Sequence, residues 1–311
     1  MNTATPILSA VIVNWNGREP LRVCLESLFR YEKTANMEII VSDNASTDGS
    51  VAMLKAEFPA VRVIENGENL GFGAGNNRAL AVARGEYVLM LNPDMEFIEP
   101  GLEKLIAFMA ARPSAGLIGC RVENPDGTFM RQCRRGYPDP ISAFYKASGL
   151  IHLFPRHPRI ARYFYGGEPE DAVMPVDAVS GSFMLARREA LKKAGHFCEE
   201  YFMYVEDVDL CRNIRAAGYE TLYAPLMRIR HHNGRCVAKM PRRAAFYHYH
   251  MTRSHLVLYR KDGALSTLVY WPIALRYILV SLLNGNRHLS AHLREFAAIR
   301  SGKATEAMRR L

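Results

Sequence analysis

The segment 86–94, Glu-Tyr-Val-Leu-Met-Leu-Asn-Pro-Asp, constrains the fold more than any other part of the chain. Its apolar run, Tyr87–Leu91, is short enough for a strand that is buried on both faces. Because Pro93 cannot donate to a sheet ladder, the strand should end before it. Asp94 then follows the carboxyl end of a strand, where open α/β sheets bind ligands. On this pattern alone, Asp94 could equally be a helix cap or a turn residue.

Three similar units precede this strand. Apolar stretches at residues 7–13, 38–41 and 61–64 each lead into a turn and then a helical pattern. Three βα units and a fourth strand within about ninety residues predict a parallel sheet with crossover helices.

The pattern after Asp94 is less regular. It predicts strands at 115–119, 176–178, 183–185 and 219–223, and helices at 100–112 and before Gly195. Residues 131–175 mix basic, aromatic and proline residues, with one helical stretch at 141–154. We expect this long insertion to form a substrate or membrane surface rather than core.

Charge divides the chain in two. Residues 1–130 carry a net charge of −5, whereas residues 131–311 carry +14. Such asymmetry indicates an anionic partner: nucleic acid, a phosphorylated substrate or an acidic membrane face. No nucleic-acid-binding motif accompanies the charge, so we do not expect nucleic acid. The six cysteines, Cys236 among them, show no zinc spacing and are interpreted as reduced thiols of a cytoplasmic protein.

A glycine-rich loop follows the third predicted strand. Residues 69–77 read Asn-Leu-Gly-Phe-Gly-Ala-Gly-Asn-Asn. In a dinucleotide-binding fold the glycine-rich fingerprint follows the first strand, so this loop is weak evidence for such a fold. The loop could let the backbone approach a ligand, or it could be a tight turn into a helix. Asp43, which ends the second predicted strand, could meet a base or a ribose, or serve as a helix cap.

A second acidic landmark lies at 204–212. Helical geometry places Asp207 with Leu210 and Cys211 on one face and turns Glu206 and Asp209 elsewhere. Carboxylates in a first helical turn are favoured by the helix dipole, so a structural role stays open.

Two adjacent histidines, His231 and His232, follow the last predicted strand. They could ligate a metal together with Asp94, or they could be surface polar residues.

These motifs, in this order, resemble the inverting family 2 glycosyltransferases of the GT-A fold. The closest likeness is to the rhamnosyltransferase-like branch of bacterial surface polysaccharide synthesis. It covers residues 7 to about 261 and rests on the segments 11–16, 41–50, 69–77, 91–94, 179–188 and 206–212.

The resemblance implies a role for each matched position. Asp43 would contact the nucleobase of a dTDP- or UDP-sugar. The other donor-site residues would be Asn14, Asn44, Gly71, Asn76, Asn77, Asn92 and Asp94. Asp94 would also hold Mg²⁺ or Mn²⁺ on the diphosphate, with His231 or, second in preference, His232. Asp207 would be the general base, with Glu206, Ser180 and Gly181 in the acceptor site.

Two positions depart from the family pattern. Asn92 replaces the first aspartate of the usual metal motif, which would lower metal affinity. Phe197-Cys198-Glu199 stands where close relatives often have Phe-Asp-Glu, which affects the local acceptor loop.

The chain should therefore be an α/β protein, a Rossmann-like mixed sheet with helices on both faces. We expect one glycosyltransferase domain over residues 1–261, in which residues 1–130 bind the nucleotide sugar and residues 131–261 bind the acceptor. Residues 262–311 would form a helical extension. In it, residues 264–283 are apolar but contain Pro272 and Arg276, which favours an interfacial helix pair over a membrane span or a core segment.

The expected activity is transfer of rhamnose from dTDP-rhamnose to a lipid-linked glycan at the inner face of the cytoplasmic membrane. Another nucleotide-diphosphate sugar remains open as the donor. A non-catalytic assembly factor on a degenerate glycosyltransferase fold also remains open.

Overall fold

The structure is a computed structural model. It describes residues 5–32, 36–232, 243–263, 267–283, 286 and 288–303, so Cys236 lies outside the described residues. The strands are β1 (Leu8–Asn14), β2 (Met37–Asp43), β3 (Arg62–Glu65), β4 (Tyr87–Leu91), β5 (Met95–Phe97), β6 (Ala115–Glu123), β7 (Arg134–Arg135), β8 (Met174–Pro175), β9 (Ala178–Val179), β10 (Phe183–Arg187) and β11 (Glu220–His231).

The helices alternate with the strands in the first half and gather at the end of the chain. They are α1 (Arg18–Tyr31), α2 (Ser50–Glu57), α3 (Phe72–Leu80), α4 (Leu102–Ala110), α5 (Pro140–Ala147), α6 (Leu150–Leu153), α7 (Arg188–Ala194), α8 (Glu206–Ala216), α9 (Arg243–Lys261), α10 (Thr267–Leu283) and α11 (Leu289–Arg300).

The main sheet is mixed, as the sequence predicts. Its order is β3-β2-β1-β4-β10-β6-β11-β5, with β8 paired to β11. The first four strands are parallel, which confirms the predicted βα units. β10 then runs antiparallel to both β4 and β6. β4 lies between β1 and β10, and the burial of all its residues shows that both faces of the sheet are covered here, which explains the continuous apolar run.

Two predicted elements are wrong in extent. The strand predicted at 219–223 continues as β11 to His231, so this histidine ends a strand instead of following it. The register of β11 shifts between Tyr223 and Arg228, where Pro225 interrupts the ladder as a bulge. The helix predicted at 141–154 is divided into α5 and α6 by Gly149, whose φ of 76° ends regular helix.

The three C-terminal helices pack on the main core. Tyr249 of α9, Tyr277 of α10 and Phe296 of α11 belong to the same buried cluster as the sheet. α10 is one helix that contains Pro272, in place of the predicted interfacial pair. It is core on one side and exposed on the other, and residues 264–266 lie outside the described ranges. No helix in the described part of the chain is long and apolar enough to cross a membrane.

Candidate functional site

The carboxyl ends of β1 and β2 bring the first predicted donor residues together. Asn14 lies opposite Asp43 in the parallel register, and its Nδ2 donates to Oδ2 of Asp43 at 2.9 Å. The backbone N–H of Ser46 donates to Oδ1 of Asp43 at 2.8 Å. Both residues are fully buried. These bonds fix the Asp43 carboxylate while leaving it lone pairs for a further donor.

The glycine loop joins this cluster through Asn44, whose Nδ2 donates to the carbonyl of Gly71 at 3.0 Å. Gly71 has a φ of 81°, and a Cβ at this position would lie 2.1 Å from the carbonyl oxygen of Phe202. Only glycine allows this approach. The loop is therefore clamped against the segment that leads into α8.

Asn76 and Asn77 support this loop from within. The Nδ2 of Asn76 donates to the carbonyl of Phe72 at 2.9 Å. Asn77 donates to the carbonyl of Phe197 at 2.9 Å and accepts from its N–H at 3.1 Å. The side-chain amide of Asn77 therefore fixes the loop that begins at Phe197, the segment that departs from the family pattern.

Asp94 and His231 meet at the end of β4, 137 residues apart in the chain. The Nε2 of His231 lies 3.0 Å from Oδ1 of Asp94, and both side chains are largely buried. The N–H of His232 donates to the backbone carbonyl of Asp94 at 3.0 Å. The imidazole of His232 instead faces Glu96, with Nε2 2.8 Å from Oε2. Of the two histidines, His231 is the one whose side chain contacts Asp94.

This pair suits a divalent ion that is also held by substrate. Mg²⁺ is usually bound through one or two protein ligands together with phosphate oxygens and water. Asp94 supplies a carboxylate, which suits both Mg²⁺ and Mn²⁺, and His231 supplies an imidazole, which favours a transition-metal ion such as Mn²⁺ over Mg²⁺. Within the described ranges, no group of three or more His, Cys, Asp or Glu residues could hold a metal. The residues present fit an ion whose remaining ligands come from a diphosphate.

Asp207 begins α8 with three donors on its carboxylate. The backbone N–H of Gly181 donates to Oδ2 at 2.8 Å, and Arg135 Nη2 donates to the same atom at 2.5 Å. Its own neighbour, Val208, donates an N–H to Oδ1 at 2.8 Å. Three donors, one of them charged, stabilise a negative charge on Asp207.

The turn before α8 is held in an unfavourable conformation. Tyr204 and Val205 have φ values of 69° and 72°, a region that β-branched residues rarely enter. Val205 is buried, so packing holds it there. Backbone strain of this kind persists where the surrounding structure enforces it, and it is common at functional sites. Here the strained turn places Glu206 and Asp207.

The other two carboxylates, Glu206 and Asp209, are buried as well. Asp209 is fully buried, and its Oδ2 accepts from Nζ of Lys261 at 2.5 Å. Arg212 lies 3.4 Å from its Oδ1. α9 supplies the lysine, so helical periodicity within α8 could not predict the burial of Asp209. Asp209 is therefore a structural ion-pair residue that fixes α8 to α9.

Glu206 is buried without such a partner. Among the residues that the structure describes, its Oε2 has no hydrogen-bond partner. Burial, and after it the charge of Asp207, raises the pKa of Glu206 well above its usual range. Since Asp207 has the cation and the donors, the proton of this carboxylate pair resides on Glu206 at neutral pH.

Arg135 is the site residue that sequence reasoning missed. It lies on β7, which pairs antiparallel with β9, and this ladder brings it to Asp207 across 72 residues of chain. The only sequence signal was the basic surplus of the second part of the chain.

The predicted acceptor residues connect the two charged centres. The N–H of Asn92 donates to the carbonyl of Ser182 at 3.0 Å. The Oγ of Ser182 donates to Oγ of half-buried Ser180 at 2.9 Å. Gly181, between them, donates its N–H to Asp207. The turn 180–182 thus lies between the strand that leads to Asp94 and the helix that carries Asp207.

Comparison with known proteins identifies relatives of this chain. The family model "Glycosyl transferase family 2" matches residues 9–195. The chain is 29% identical over 310 residues to N-acetylglucosaminyl-diphospho-decaprenol L-rhamnosyltransferase of Mycobacterium tuberculosis, with 96% of each chain covered. It is 27% identical to rhamnosyltransferase WbbL of Escherichia coli, covering 71% of this chain and 82% of that protein.

The fold is also similar to that of solved glycosyltransferases. A mannosyltransferase from Pyrobaculum calidifontis, solved with GDP-mannose and Mn²⁺, superimposes with a TM-score of 0.56 at 19% identity. That match covers 98% of this chain and 85% of that one. The mixed sheet and its flanking helices are those of a GT-A glycosyltransferase, as the sequence motifs predict.

Proposed function

The chain belongs to glycosyl transferase family 2, and we propose that it transfers rhamnose from dTDP-rhamnose to a lipid-linked glycan with inversion at the anomeric carbon. The product would enter the synthesis of a cell-surface polysaccharide. The observation that carries this proposal is that Asp207 accepts hydrogen bonds from Arg135 and from the N–H of Gly181. Gly181 lies in the turn 180–182, which also contacts the segment that leads to Asp94. The specificity is suggested by the Mycobacterium tuberculosis relative, whose name specifies a rhamnosyl transfer to a decaprenyl-linked sugar.

Asp207 is the general base in this proposal. It takes the proton from the acceptor hydroxyl as that oxygen attacks the anomeric carbon from the face opposite the leaving diphosphate. Because the reaction is a single displacement from the face opposite the leaving group, the configuration at the anomeric carbon is inverted. Removal of a positioned base typically lowers such a rate by roughly 10²–10⁴-fold. Arg135 positions the Asp207 carboxylate, and protonated Glu206 can donate a hydrogen bond to the acceptor sugar.

The donor lies along the carboxyl ends of β1, β2 and β4. Asp43 would accept a hydrogen bond from the nucleobase, with Asn14, Asn44 and the backbone of Gly71 close by. Asn92 and Asp94 lie nearest the diphosphate. Asp94 and His231 would hold Mg²⁺ or Mn²⁺, which when bound neutralises charge on the leaving diphosphate.

The protein would act at the inner face of the cytoplasmic membrane, as a peripheral protein. Support comes from the exposed apolar side of α10, which includes Trp271, Leu275, Leu279 and Leu282. The net charge of +14 over residues 131–311 would attract this side to anionic lipid.

A donor panel tests the proposal directly. Purified protein is given dTDP-rhamnose, UDP-sugars and GDP-sugars with a short-chain lipid diphosphate sugar as acceptor, and the anomeric configuration of the product is assigned by NMR. We expect transfer from dTDP-rhamnose with inversion. Transfer only from another nucleotide sugar would overturn the donor assignment. Failure to bind or hydrolyse any nucleotide sugar would favour the non-catalytic assembly factor.

A further inference from the structure

An open groove of about 420 Å³ lies between α5, α9 and α10. Its walls are mostly apolar and aromatic. They include Phe144, Tyr163, Tyr247, Met251, Ile273 and Pro272. The groove is separate from the nucleotide residues at the ends of β1 and β2, so the donor does not account for it.

Two cations, Lys146 and Arg276, line the groove. Its described lining contains no acidic side chain, and neither cation forms an ion pair with a described carboxylate. The ammonium of Lys146 lies 5.2 Å from the ring centre of Tyr163, a contact that leaves its charge uncompensated. The groove therefore has positive charge within apolar walls.

The two cations also repel each other. Burial first, and then the charges of Arg135 and Arg276, lowers the pKa of Lys146. Burial lowers the pKa of His255, which also lines the groove, to about 4, so that imidazole is neutral at physiological pH. An anion bound between Lys146 and Arg276 would relieve this repulsion.

The chain segment that carries Arg135, the partner of the proposed catalytic base, continues into the wall of the groove. Arg135, which bonds Asp207, is three residues before Pro138, and Pro138 lines the groove. Tyr259, at the other side of the groove, donates its hydroxyl to the carbonyl of Pro138 at 2.5 Å. Two residues further along α9, Lys261 bonds Asp209 of α8.

The other side of the groove continues into an exposed apolar surface. Phe144 on α5 is 61% exposed, and Ile141, one turn earlier on the same helix, is 65% exposed. On α10, Trp271 is 49% exposed and Leu275 54% exposed. A hydrocarbon chain leaving the groove would meet apolar side chains on both of these helices.

We propose that this groove binds the isoprenoid diphosphate portion of the lipid-linked acceptor, with the diphosphate at Lys146 and Arg276 and the hydrocarbon along α5 and α10. The inference rests on the proposed function, because the attached sugar must point toward Asp207. Charge complementarity selects the occupant: a neutral lipid leaves two cations unpaired, and a free diphosphate leaves the apolar walls exposed to water.

Binding of farnesyl diphosphate to the full-length chain tests this by calorimetry. We expect the double variant Lys146→Gln/Arg276→Gln to bind it at least about tenfold more weakly, since each lost charge-assisted bond weakens anion binding. Arg294→Gln on α11 is the matched control, because this exposed cation does not line the groove, and it should bind as the wild type does. Farnesol and inorganic diphosphate should each bind more weakly than farnesyl diphosphate.

Three outcomes would overturn the proposal. They are equal binding of farnesyl diphosphate by the double variant, equal binding of inorganic diphosphate, and equal binding of a short-chain phosphatidylglycerol below its micelle concentration. The last two would indicate a phosphate site and a headgroup surface, respectively. Binding of dTDP, measured on the same variants, should not change and reports correct folding. If farnesyl diphosphate binds as expected while no nucleotide sugar is used, the proposed function fails and the groove assignment stands.

Discussion

Arg135 donates a 2.5 Å hydrogen bond to Oδ2 of Asp207, the same oxygen that accepts the N–H of Gly181. The side chains of both charged residues are largely shielded from water. In such surroundings, removing one partner of an ion pair is strongly destabilising, because it leaves an uncompensated buried charge. Arg135 therefore holds the Asp207 carboxylate in position and places a positive charge beside it.

Asp207→Asn keeps the shape of the side chain but removes its ability to take a proton. We expect transfer to fall by roughly 10²-fold or more, while dTDP binds normally. The measurement is single-turnover sugar transfer together with calorimetry of dTDP. A near-normal rate would mean that the carboxylates only stabilise the start of α8.

Arg135→Gln tests positioning rather than chemistry. Without the guanidinium, Asp207 and Glu206 compete for one negative charge, so the acid limb of the pH–rate profile should move to higher pH. Arg135→Lys restores the charge and should move this limb back. If Arg135→Gln lowers the rate equally at every pH, the arginine has only a structural role.

Glu206 should make the stability of the protein depend on pH. Burial, and after it the charge of Asp207, raises the pKa of Glu206 from an ordinary 4.5 to about 8. The folded state thus holds a proton that the unfolded chain has lost, and stability falls as pH rises between about 5 and 8. Glu206→Gln cannot ionise, so this part of the decline should disappear.

Urea unfolding at pH 5.5 and pH 8 measures the difference. The wild type should lose stability relative to Glu206→Gln between the two values. Parallel losses in both proteins would show that Glu206 is ionised in the folded state or titrates normally. Glu189→Gln, an exposed carboxylate on α7, is the control and should follow the wild type.

The sequence predicted the donor side of the site better than the acceptor side, for a physical reason. Asp43 and Asp94 each follow a short apolar strand, and parallel strands bring their carboxyl ends to one edge. Local pattern and topology therefore agree there. Arg135 reaches Asp207 only through the two-residue ladder of β7 and β9, which has no period to detect.

The burial of Asp209 and the contacts of the two histidines could not be predicted from the sequence for the same reason. The partner of Asp209 is Lys261, 52 residues later, and helical periodicity describes only one helix at a time. The choice between His231 and His232 depends on the antiparallel register of β11 with β5, in which His231 lies opposite Met95. Side-chain contacts of this kind follow from strand pairing across the sheet.

The two histidines should differ in their effect on metal use. Asp94→Asn should abolish Mn²⁺ binding in the presence of dTDP, because the carboxylate is the stronger ligand for a hard cation. His231→Ala should raise the Mn²⁺ concentration needed for half-maximal transfer by about tenfold or more. His232→Ala, the matched control, should change it little, because that imidazole faces Glu96.

Manganese titrations of both binding and transfer provide the measurement. Full activity in excess chelator would refute the metal assignment altogether. An effect of His232→Ala as large as that of His231→Ala would refute only the choice of histidine.

Lipid contact through α10 can be tested separately from catalysis. Leu279 and Leu282 are 62% and 64% exposed, and neither lines the groove. We expect Leu279→Ser/Leu282→Ser to weaken binding to anionic vesicles while dTDP binding stays unchanged, because less apolar surface enters the interface. Vesicle cosedimentation at low and high salt measures this, and salt should weaken the wild-type interaction. If the wild-type protein does not bind anionic vesicles at low salt, the proposed membrane association is wrong.

Two glycines with a positive φ give the last prediction. Gly71 and Gly67 have φ values of 81° and 74°, so alanine is disfavoured at both positions, and the ψ of −171° at Gly71 lies in a region that essentially only glycine enters. A Cβ at Gly67 would have no neighbour within 4 Å, whereas at Gly71 it would lie 2.1 Å from the backbone oxygen of Phe202. That oxygen accepts the N–H of Phe72, so the clash would separate the glycine loop from the segment before α8. Gly71→Ala should therefore weaken dTDP binding and slow transfer together, while Gly67→Ala should show only a small loss of thermal stability. Equal effects of the two substitutions on dTDP binding would mean that the contact with Phe202 does not hold the donor site together.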